Sequence, residues 1–176
     1  LDYCNITIDN LDFSKAFEKM LPSMQGAANL ILLDQGGIKQ VNEDVLSKIV
    51  RLDATDFIMF ISSSTLRRFS ELEAIKKYID IKNEEMTTRE YVDTHRVVTE
   101  HFRTLVPQSR KYYLAPFSIK KGANIYGLIF GSGHLKGLEQ FLSACWKVDT
   151  ERGEANFDID DDRINQSSPY LFPDMN

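Results

Sequence analysis

The stretch Asn29-Leu30-Ile31-Leu32-Leu33-Asp34-Gln35-Gly36-Gly37 decides how the rest of the chain is read. Consecutive apolar residues suit a strand covered on both faces, and this run stops at a carboxylate, an amide and two glycines. In open α/β sheets the carboxyl ends of parallel strands border the ligand crevice, so Asp34 and Gln35 are the first candidates for chemistry. Gly36 and Gly37 would let a ligand approach the backbone closely. The competing reading is structural, an aspartate that caps the turn leaving the strand, and the residues alone leave both open.

Working outward, Phe57-Ile58-Met59-Phe60-Ile61 is a second uninterrupted apolar run, introduced by Thr55-Asp56 and ended by Ser62-Ser63-Ser64-Thr65. Between the two runs, Asn42 is placed to cap a helix whose first turn carries Glu43 and Asp44 at the positive end of its dipole. Val45, Leu46, Ile49, Val50 and Leu52 form the expected buried stripe. Upstream, Tyr3 to Ile8 reads as a strand and Asp9-Asn10 as a turn. A helix is expected from about Asp12, with Phe13, Phe17, Met20, Leu21 and Met24 on one face and Pro22 ending it. Strand, helix, strand, helix, strand with long connections predicts three parallel strands joined by right-handed crossovers, with helices on both faces.

From Leu66 to Leu105 the chain is charged and lacks strand-like runs, which reads as a helical excursion. Its last helix, Thr87 to Leu105, groups Tyr91, His95, Val98, Phe102 and Leu105 on one side. Lys111 to Phe117 and Ile125 to Phe130 flank Lys120-Lys121-Gly122-Ala123 and are expected as antiparallel neighbours, with Pro116 favouring the edge for the first. Between Gly137 and Trp146, the residues Leu138, Phe141, Leu142 and Cys145 fall on one helical face. Asn156 to Asn165 reads as an acidic linker.

The 176 residues fit one domain with a substantial core. Hydrophobic and charged fractions of 43% and 27% are those of an ordinary globular protein. No apolar segment approaches the roughly 20 residues that cross a bilayer, so no membrane span is expected. A net charge of -5 argues against broad, non-specific nucleic-acid binding while leaving room for a local basic patch. Cys4 and Cys145 belong to no Cys-x-x-Cys or Cys/His cluster, which points to a reducing cytoplasm. The chain opens at Leu1 and meets a strand almost at once, so an excised piece of a longer protein is expected.

Other chemistry is sparse. Ser62, Ser63 and Ser64, followed by Arg67 and Arg68, could hold an anion at a helix start, but an N-cap with two solvated arginines is the favoured reading. His95 and His101 lie about 120 degrees apart around a helix, so no joint metal site is readable. His95 is read as a half-buried packing residue. His134 is read as a loop cap that could also reach the rim carrying Asp34.

The strings Leu33-Asp34-Gln35-Gly36-Gly37-Ile38-Lys39 and Thr55 to Ser64 with Arg67-Arg68-Phe69 are similar to the three-Cys-motif partner protein family. So are Tyr126 to Ser132, Phe141-Leu142, Cys145 to Asp149 and Gly153 to Phe157, in matching order. That resemblance implies a Rossmann-type, S-adenosylmethionine-dependent methyltransferase of bacterial and phage-linked gene neighbourhoods, with a three-Cys-motif protein as partner and nucleic acid as a plausible substrate. It implies an α/β fold: a three-layer Rossmann-like sheet, mostly parallel, with an antiparallel C-terminal strand pair and a helical insertion. The partial domain would span residues 1–158, with the insertion at 66–105 and a polar tail at 159–176. Asp34 and Gln35 would be catalytic, and Asp9, Asn10, Gly36 and Gly37 would lie against the cofactor. Gly36 stands where members of the family tend to carry an aromatic residue. The glycine-rich loop holding the methionine portion of the cofactor falls before Leu1, so cofactor binding is expected of the longer protein. The alternative is a non-catalytic adaptor whose excursion docks a protein or nucleic acid. Truncation at a sheet edge favours a homodimer.

Overall fold

The computed structural model describes residues 5–34, 43–62, 94–122, 124–150 and 153–158. The two apolar runs form the parallel pair at one side of the sheet, β1 (Asn29–Asp34) and β2 (Thr55–Ser62), with Asn29 opposite Thr55 and Asp34 opposite Phe60. The late segments form a hairpin, β3 (Tyr113–Lys121) and β4 (Asn124–Ser132), in which Lys121 pairs with Asn124 and Gly122 takes φ 56°. That left-handed backbone suits glycine. A short strand β5 (Ala155–Asp158) completes a five-stranded mixed sheet of order β1-β2-β4-β3-β5. β4 runs antiparallel to both neighbours, β2 and β3, while β5 lies parallel to β3. The fold is α/β.

Four helices among the described residues cover this sheet. α1 (Phe13–Met24) begins where the Asp12 carboxylate accepts from the Ser14 backbone N–H, an N-cap at the expected position. α2 (Glu43–Ile49) carries Glu43 and Asp44 in its first turn. The stripe Val45, Leu46, Ile49, Val50 and Leu52 is buried as the spacing predicts. α3 (Thr94–Leu105) buries His95, Val98 and Phe102. All three helices pack into one core with Leu33, Phe57, Met59, Ile61, Leu114 and Ile129, which places them on the same, inner face of the sheet. α4 (Leu135–Val148) lies on the outer face, where Phe141 and Cys145 meet Phe117, Ile119 and Leu128.

Several expectations fail for identifiable reasons. Asn5 to Ile8 forms no strand, and Ile6 and Ile8 are 82% and 90% exposed, with no strand of the described residues beside them; residues 1–4 fall outside the described ones. Pro22 sits inside α1 rather than ending it, and the helix runs two residues further to Met24. Met20 has helical spacing to the buried face yet is half-exposed at its margin. Pro116 lies in a strand with neighbours on both sides, but β5 pairs only with Ile119 and Lys120, so the proline still meets no partner there. Leu142, on the helical face expected to be buried, is exposed on α4. The acidic segment expected as linker begins with strand β5. The described helices do not cover both faces of the parallel pair: Leu30 and Leu32 of β1, on the outer face, are 65% and 68% exposed. Asn42, Tyr91 and the excursion at 66–93 lie outside the described residues.

Candidate functional site

Parallel strands deliver their C-terminal residues to one rim. Register places Asp34 beside Phe60 and Ser62 beside Tyr126, so these four residues share that rim and, by strand alternation, the outer face. Phe60 and Tyr126 stack across β2 and β4 with centroids 5.2 Å apart and planes 25° from parallel. β3 ends at the same rim with Lys120 and Lys121, because it runs parallel to β1 and β2. Asp34 itself is exposed. A carboxylate accepts hydrogen bonds, so an incoming amine or hydroxyl could be oriented by it.

Asp9 and Asn10 lie before α1, which turns back into β1 through the four residues Gln25 to Ala28. The Asn29 side chain fixes that turn by donating to Met24 O at 2.9 Å, Ala27 O at 3.0 Å and Thr55 Oγ1 at 2.9 Å. So tight a return makes α1 antiparallel to β1 and sends its N-terminus toward the end of the sheet where Asp34 stands. Asp9 pairs with Lys19, midway along α1, at 2.7 Å, and Asn10 is exposed. Gln35, Gly36, Gly37, Ser63, Ser64, Arg67 and Arg68 lie outside the described residues.

His134 stands at the other end of the sheet. It follows β4, whose last residue Ser132 pairs with Asp56 near the start of β2. Its Nδ1 accepts from the Lys136 backbone N–H at 3.1 Å as the N-cap of α4, so the capping role holds and the shared rim with Asp34 does not. A hollow of about 390 Å3 also lies at this opposite end, lined by Leu21, Gln25, Gly26, Lys48, Arg51 and Asp53 among others.

One polar cluster is invisible in the sequence spacing. His95, read as half-buried, is fully buried; its Nε2 lies 3.0 Å from Oε1 of buried Glu154, and Arg96 Nη2 donates to the same oxygen at 2.6 Å. His95 Nδ1 is buried without a hydrogen-bond partner. A proton on Nε2 lets the ring donate to the Glu154 carboxylate oxygen. Burial pushes the Glu154 carboxyl up, but hydrogen bonds and charge from His95 and Arg96 outweigh it and hold the group below its ordinary 4.5. Burial also raises the Cys145 thiol to about 11, so it is a packing residue rather than a nucleophile. Tyr112 is raised by burial and then by the Asp56 charge; its hydroxyl donates to Thr55 O at 2.8 Å.

Among the described residues no group of three or more His, Cys, Asp or Glu could hold a metal ion, and no helix is long and apolar enough to cross a membrane. Comparison with protein-family models, with curated proteins and with solved structures found no match to this chain.

Proposed function

We propose that the chain is part of an S-adenosylmethionine-dependent, methyltransferase-like protein of the three-Cys-motif partner type, acting on nucleic acid or another polar nucleophile. The observation that carries this reading is the rim of the parallel pair, where Asp34 ends β1 beside the Phe60–Tyr126 stack. The insertion of antiparallel β4 between β2 and β3 supports it further, since such a strand pair is what the resemblance expects to close the sheet. On this reading the sheet is one side of a three-layer Rossmann-like domain. Asp34, with Gln35, orients an amine or hydroxyl toward the methyl sulfonium, and positioning supplies much of the rate. Asp9 and Asn10, with Gly36 and Gly37, lie along the cofactor, and Ser62, Ser63 and Ser64 with Arg67 and Arg68 approach an anionic substrate.

Calorimetry with S-adenosylmethionine, on the longest natural form of the protein, tests the cofactor. Transfer of labelled methyl groups to nucleic acid then tests the chemistry: Asp34→Ala should lower transfer at least a hundredfold with an unchanged circular dichroism spectrum. Unchanged turnover would remove Asp34 from the mechanism.

A second reading, a non-catalytic adaptor that docks a three-Cys-motif protein or nucleic acid through the excursion, draws on one observation. Asp34 is exposed, while the hollow lined by Lys48, Arg51 and Asp53 lies at the opposite end of the sheet. Absence of binding heat together with loss of partner on deleting residues 66–93 would favour it.

A further inference from the structure

We draw no further inference here: the strongest candidate, the hollow of about 390 Å3 between the last turns of α1 and α2, is lined by charged side chains that are either paired within the chain, Lys48 with Glu18 and Asp44 and Asp53 with Arg110, or, like Arg51, exposed to solvent, and no buried polar group among its described lining residues points to a ligand.

Discussion

Gly131 shows how closely a single position controls the core. A Cβ added there would lie 2.1 Å from the Phe57 ring, which stacks in turn on Tyr112 with centroids 6.1 Å apart. Phe57 is fully buried and has no slack to yield. Gly131→Ala should therefore destabilise the protein by about 2–3 kcal/mol through overpacking, read as a lower midpoint in chemical denaturation; an unchanged midpoint would mean that Phe57 can swing aside. At this scale the sequence is a partial guide. Asp12 as a cap follows from its place before an apolar-periodic run, and Asp34 from its place after one. Glu154 could not be found in this way, because its partners His95 and Arg96 lie nearly sixty residues away and no local period records the pairing. Met20 fails for a related reason, since spacing gives the face of a helix and only the neighbours decide how far round that face is covered.

Among the described strands, β5 has the shortest ladder. Its pairing to β3 covers Ile119 and Lys120 alone, with a register shift between them. Glu154, the residue just before it, carries the attachment to α3. Because the folded carboxyl titrates below its ordinary value, its contribution is complete above about pH 4.5 and disappears as pH falls through the lower, folded value. Glu154→Gln should cost about 1–3 kcal/mol at neutral pH, and the gap between variant and wild type should close on acidification. A gap that stays constant down to pH 2–3, followed by urea denaturation, would deny the carboxylate this role. A four-residue strand in an acidic context offers no alternation to read, which is why it passes for a linker. The position of His134 was open to a better reading: once β3 and β4 form a hairpin, the residue after β4 must return to the end where β2 begins.

Across the whole molecule, the described residues cover the sheet unevenly. Three helices close the inner face, whereas on the outer face α4 protects β3 and β4 and leaves Leu30 and Leu32 of β1 open. An apolar dye such as anilinonaphthalene sulfonate should brighten with the native protein and lose most of that signal in the Leu30→Lys, Leu32→Lys variant; a dark native protein would mean that this face is covered. The α/β class and the parallel pair were legible because uninterrupted apolar runs separated by helical periods have few other solutions. The strand order was not, since only tertiary packing decides which neighbour a hairpin chooses. That choice also has a temporal side. β2 acquires its second neighbour only when Ser62 meets Tyr126, far later in the chain. Synthesis proceeds at roughly 5–20 residues per second, so a nascent molecule must carry β2 with one ladder unfilled for several seconds, and the middle of the sheet closes only once β4 has emerged.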